Sequence, residues 1–169
     1  MKNFITAMLM AALLLPATAW AKKKDVKEGY VTEYHMEGAG MLSSNENKVR
    51  VTILTKKKDD VTDAMLQKCA VHGILFRGYS DATNAGYGSA ASHKAVLGPT
   101  AETQFADFFQ PFFENGDATR YSRTVSDTRR VIKAGKLWKV SAEVTVSTTQ
   151  LREDLKKQNV GVKDLGSGW

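Results

Sequence analysis

Residues 138 to 146, WKVSAEVTV, keep a strict period of two. Trp138, Val140, Ala142, Val144 and Val146 fall on one face, and Lys139, Ser141, Glu143 and Thr145 on the other. Successive side chains of a strand point to opposite sides, so this pattern specifies a strand with one packed and one polar face. A slip of one residue would exchange the two sets, which makes this segment the register-setting element of its sheet. Ala134-Gly135-Lys136 joins it to a more polar run, Tyr121 to Ile132, which contains Arg123, Arg129 and Arg130 and follows Arg120. The two runs read as a hairpin whose outer face is basic.

A second alternating stretch, Lys48 to Thr55, places Val49, Val51 and Ile53 on one face and Lys48, Arg50 and Thr52 on the other. Tyr30 to Tyr34 is expected to form a strand before it, followed by a turn at Gly38-Ala39-Gly40 and a polar loop through Asn47. Asp59 or Asp60 is expected to cap a helix running to about His72, with Val61, Met65 and Cys69 on its apolar face. Gly73 is expected to stop that helix, and Ile74 to Tyr79 to form a short strand. Pro99-Thr100 opens a further helix with Phe105, Phe108, Phe109 and Phe112 at core spacing, with Pro111 bending or ending it. Ser147 and Gln150 make a capping-box pattern for a last helix carrying Leu151 and Leu155 and ending near Gly161. These elements predict an α+β two-layer sandwich: a mainly antiparallel sheet of about five strands, with helices packed on one face. The helix-to-strand step at Gly73 allows one parallel pairing within it.

Lys2, the apolar run Phe4 to Leu15, Pro16 and the small-x-small site Ala19-Trp20-Ala21 predict a signal peptide over residues 1–21. That run falls short of the roughly 20 residues a spanning helix needs. No cysteine stands at the cleavage site, so no lipid anchor is expected. Residues 22–169 then form one domain, with 22–28 and 163–169 as loose ends. The expected location is periplasmic or secreted. The net charge of +6 is partly local, in Lys22-Lys23-Lys24 and Lys56-Lys57-Lys58. Such runs suit an anionic membrane surface or polymer, or are simply solvated chain ends. Export and the lack of a basic-aromatic RNA motif argue against nucleic acid.

The lone cysteine, Cys69, lies three residues before His72. Thiolates are stabilised at helix N-termini, whereas this pair falls at a helix C-terminal end. Cys69 therefore reads as a core residue and His72 as the closing residue of its helix. His35, His72 and His93 are scattered, with no metal-ligand spacing, and no cofactor motif is present. Gly86-Tyr87-Gly88 lacks the Lys-Ser/Thr of a phosphate loop, and no Gly-x-Ser-x-Gly or Ser-x-x-Lys motif occurs. The odd segment is 80–98, rich in Ala, Ser and Gly, with a short helix expected within Ala90 to Val96. Structureless loops of this length in compact domains are usually functional or disordered. Tyr79, Tyr87 and His93 there, with Arg123 and Arg129 on the basic hairpin, are the candidate binding residues. The expectation is a non-enzymatic binding or assembly component of a bacterial cell envelope, engaging a protein or polymer partner through the loop and the hairpin. Its rivals are a small hydrolase built around His93 or His72, and a self-assembling envelope protein that pairs through the edge near Arg123.

Overall fold

The structure is a computed structural model, and it describes residues 33–43, 45–81 and 91–161. The expected signal peptide, the run Lys22-Lys23-Lys24, Tyr30 to Thr32, Tyr87 and the tail to Trp169 lie outside the described residues. The strands are β1 (His35–Ser43), β2 (Glu46–Thr55), β3 (Tyr79–Asp81), β4 (Ala91–His93), β5 (Ser122–Thr124), β6 (Arg130–Ala134) and β7 (Leu137–Ser147). The helices are α1 (Asp63–His72), α2 (Pro99–Gln104), α3 (Ala106–Glu114) and α4 (Thr148–Lys157). The main sheet is antiparallel, with β1 pairing β2, β2 pairing β7, and both β5 and β6 pairing the other side of β7; β3 and β4 form a separate two-stranded sheet. The architecture is thus the α+β sandwich that the alternating segments imply.

Central β7 runs antiparallel to β2 with Val49 opposite Val144, Val51 opposite Ala142 and Ile53 opposite Val140. All six side chains are buried, in one cluster with Leu66, Cys69, Phe109, Phe113, Leu151 and Leu155 from the helices. Each fully buried valine or leucine contributes about 1.5–3 kcal/mol, so this face carries most of the folding drive. The opposite face is held by charge. Arg50 donates to Glu143 at 2.7 Å, Lys48 lies 3.4 Å from the same carboxylate, and Arg50 also approaches Glu37 at 3.5 Å. Burial pushes the Glu143 carboxyl up, but the hydrogen bonds and charges of Arg50 and Lys48 outweigh it and hold it below its ordinary range. Thr145, on the same side, is 2% exposed because β7 is flanked by strands on both sides, and its hydroxyl has no hydrogen-bond partner.

Several local expectations are corrected. Gly38-Ala39-Gly40 is not a turn but part of β1, where the register with β2 shifts between Gly38 and Met41. The polar loop through Asn47 is likewise replaced by strand, since β2 begins at Glu46. Asp59 and Asp60 form a 3-10 turn with Lys58, and Val61 is extended and buried; the α1 cap is Thr62, whose hydroxyl accepts from the Met65 N–H at 3.2 Å. Gly73 does not stop the helix: the chain continues as a π-helical turn over Gly73–Arg77, burying Gly73 to Phe76. A Cβ at 73 would fall 2.4 Å from the Met36 Cε, so a larger residue there would push the end of the Met36 side chain aside. Ile74 to Arg77 is accordingly not a strand, and every pairing among the described strands is antiparallel. Ala91–His93 is strand rather than helix. The phenylalanine helix is broken at Phe105, while Pro111 sits inside α3. Ser147 occupies the α4 cap position without a capping hydrogen bond; its hydroxyl lies 3.4 Å from Glu46 instead. The polar run before β7 is split by residues 125–129, where Asp127 has a left-handed φ of 61°.

Candidate binding site

The site begins where the π-helical turn ends. Gly78 has φ +73°, and its N–H closes the turn on the Gly73 carbonyl at 2.8 Å. A Cβ at Gly78 would stand 2.4 Å from the His93 carbonyl oxygen, so only glycine lets the 93–95 chain cross at this level. That chain is then tied back by Val96 N–H to the Ile74 carbonyl and Leu97 N–H to the Leu75 carbonyl, both at 2.9 Å. On the other side, β3 crosses β1 at Gly38, with the buried Asp81 side chain against it.

This crossing puts Tyr79 directly opposite His93 in the β3–β4 ladder. Their rings stack with centroids 4.5 Å apart and an interplanar angle of 13°. Burial, aided by the Asp81 charge, pushes the Tyr79 hydroxyl up to about 12, so it remains a neutral donor and acceptor near neutral pH. Around the stack lies a wide, open depression whose lining includes Met36, Arg77, Ser80, Ser92, His93 and Lys94. Two permanent cations and an imidazole line it; no carboxylate does so among the described residues.

A partly buried polar row, with His72 at its buried centre, runs from Arg77 to Glu102. The Arg77 guanidinium lies 4.5 Å from the centre of the Tyr34 ring, a cation–π contact. The Tyr34 hydroxyl stands 2.6 Å from His72 Nδ1, and His72 Nε2 stands 3.0 Å from Glu102 Oε1. The arrangement is satisfied by a neutral imidazole carrying its proton on Nε2: Tyr34 donates to Nδ1 and Nε2–H donates to the carboxylate. Burial holds the His72 imidazole below its ordinary value despite the Glu102 hydrogen bond and charge, and pushes the Tyr34 hydroxyl well above 10. Both ring nitrogens are thus engaged away from sulfur. Cys69 is 2% exposed and burial raises its thiol to about 12, so it is a core side chain.

Of the candidate binding residues, the structure brings Tyr79 and His93 together and draws Arg123 and Arg129 elsewhere. Arg123 lies in β5, on the opposite side of the sheet from β1, and pairs with Glu46 at 3.2 Å. Arg129 donates to Asp63 at 2.5 Å and to the Val61 carbonyl at 2.6 Å, pinning the start of α1. Sequence reasoning missed Arg77 and Lys94, although both immediately flank the aromatic pair in the chain, and missed the Tyr34–His72–Glu102 row. Among the described residues, no three His, Cys, Asp or Glu side chains gather as a metal site, and no helix is long and apolar enough to cross a membrane.

The fold and this depression define an α+β sandwich with an open, cation-lined concavity at an accessory hairpin. No family model, curated protein or solved structure matches the chain.

Proposed function

We propose that the protein is an exported, non-enzymatic binding component of a cell envelope, and that it holds an acidic segment of a partner protein in the Tyr79–His93 depression. One observation carries this reading: stacked aromatic rings sit among Arg77, His93 and Lys94 with no described carboxylate in the lining. Aromatic faces offer contact area at little entropic cost, and cations at a rim steer and orient an anionic partner. The signal-peptide pattern of residues 1–21 is the ground for export. The test is fluorescence anisotropy with a labelled glutamate-rich peptide and a neutral control of equal length. Native protein should prefer the acidic peptide, and His93→Ala with Lys94→Glu should weaken it about tenfold or more while the protein still melts cooperatively. Equal binding of the two peptides, or an unaffected double variant, removes the reading.

A hydrolase centred on His72 keeps one supporting observation, the carboxylate–imidazole–hydroxyl row Glu102–His72–Tyr34. A hydroxyl beside a base that a third group orients is the arrangement nucleophilic catalysis uses. Turnover of small p-nitrophenyl esters, lost in Tyr34→Phe, supports it; no turnover above the buffer rate counts against it.

A further inference from the structure

The end of the main sheet formed by Leu54, Thr55 and Trp138 concentrates exposed aliphatic and cationic side chains that do not line the Tyr79–His93 depression. The described residues expose three large aliphatic side chains, Leu54, Val131 and Ile132, at 58%, 42% and 56%. All three lie here. The register aligns Leu54, Lys139 and Ile132 in one row across β2, β7 and β6, on the face opposite the core. The next row, Thr55, Trp138 and Lys133, belongs to the core-side face at the same end of the sheet. The half-buried Trp138 ring has Lys58 Nζ at 5.7 Å and Lys133 Nζ at 5.8 Å from its centre. Lys56 and Lys57 follow β2, and Lys136 occupies the β6–β7 turn, all exposed. Against six lysines, the only acids in these segments are Asp59 and Asp60.

We propose that this end is a docking surface for a bilayer containing anionic phospholipid. The charge is complementary: ammonium groups on flexible stems reach headgroup phosphates while the stems lie along apolar surface. Leu54 and Ile132 project from the same row as Lys139, so they meet the acyl boundary when the lysines meet the headgroups. Trp138, on the core-side face of the same sheet end and flanked by Lys58 and Lys133, sits where that end, rather than one flat face, would meet the interface. A soluble polyanion would engage the lysines and leave the aliphatic side chains in water. A second copy pairing through the β6 edge would set Arg130, Lys133 and Lys136 against the same cations, which opposes pairing. The surface is separate from the Tyr79–His93 depression and stands or falls independently of it.

The test uses the full chain with Trp20→Phe and Trp169→Phe, leaving Trp138 as the only indole. Its emission is followed against vesicles of phosphatidylglycerol with phosphatidylcholine, and against phosphatidylcholine alone, each with brominated acyl chains. The apolar run 4–15 is present in every variant, so differences between variants report this surface. Phosphatidylglycerol vesicles should quench and blue-shift Trp138 and bind about tenfold tighter or more, since each lysine near an anionic surface is worth roughly a fivefold factor. Lys133→Glu with Lys136→Glu and Lys139→Glu should abolish that preference. Leu54→Ser with Ile132→Ser should weaken vesicle binding about tenfold while leaving binding of inorganic polyphosphate unchanged. All five positions are exposed, and an unchanged melting temperature checks folding. The proposal is overturned by equal affinity for the two vesicle types. It is equally overturned if the serine variant binds vesicles normally, which would make this a plain polyanion surface, or if a dimer forms that shields Trp138 from the bromolipid.

Discussion

His72 and His93 stand on either side of one left-handed glycine, Gly78, and their surroundings are opposite. His72 is 7% exposed, and both its nitrogens are taken by Tyr34 and Glu102. His93 lies on a two-stranded edge, stacked on Tyr79 and lining an open depression. The same side chain serves to close an interior in one place and to present a surface in the other. Gly78 makes the division, because the chain can turn out of the buried π-helical turn and admit β4 beside it only with no Cβ at that position.

If that contrast is right, the two histidines differ most in what their loss costs. His72→Ala removes a ring from the core and leaves Tyr34 and Glu102 without their partner, so stability should fall by about 3 kcal/mol. His93→Ala removes only its cross-strand stack on Tyr79 and should cost about 1 kcal/mol or less. Urea unfolding of both variants checks this, and equal losses would break the comparison.

A smaller effect should appear with pH. Burial depresses the folded-state value of His72 below the ordinary value of about 6.5. The unfolded chain therefore takes up a proton that the folded protein refuses. This contribution to stability is complete above about pH 6.5 and is lost as pH falls toward the folded-state value. Native protein should consequently lose more stability between about pH 7.5 and about pH 5 than His72→Gln does, measured by urea midpoints. Parallel losses would place the titration elsewhere.

The smallest expected change is a gain. The Thr145 hydroxyl is buried without a partner, so Thr145→Val, which keeps the β-branched shape, should stabilise the protein by about 1 kcal/mol. A loss in calorimetric melting temperature would mean that the hydroxyl has a bound partner in solution.

The parts of the fold that could be read from sequence are those set by local period. Residues 48–55 and 138–146 become β2 and β7 with the expected faces, because alternation needs only neighbouring residues. Had the same alternation been carried one position further along the charged face of β2, it would have placed Leu54 on the exposed side. Where the reading failed, the deciding contact lay far away in the chain. Gly73 looked like a stop, yet the helix runs on through it as a π-helical turn packed against Met36 of β1 and the Tyr34 hydroxyl. The glycines of β1 looked like a turn, yet the pairing with β2 absorbs them at an irregularity. Arg123 and Arg129 looked like a free basic face, yet Glu46 and Asp63 meet them from 77 and 66 residues away. The candidate site was half legible: Tyr79 and His93 were singled out, but their stacking depends on the β3–β4 register, which no pattern within 80–98 discloses.

The most direct measurement is amide shift mapping of the isotopically labelled protein on titration with the glutamate-rich peptide. The account predicts saturable shifts concentrated at Arg77 to Ser80 and Ser92 to Ala95, with the region around Arg123 and Arg129 unmoved. Shifts concentrated at Arg123 and Arg129 with none beside the Tyr79–His93 stack, or no saturable shifts at all, would contradict it.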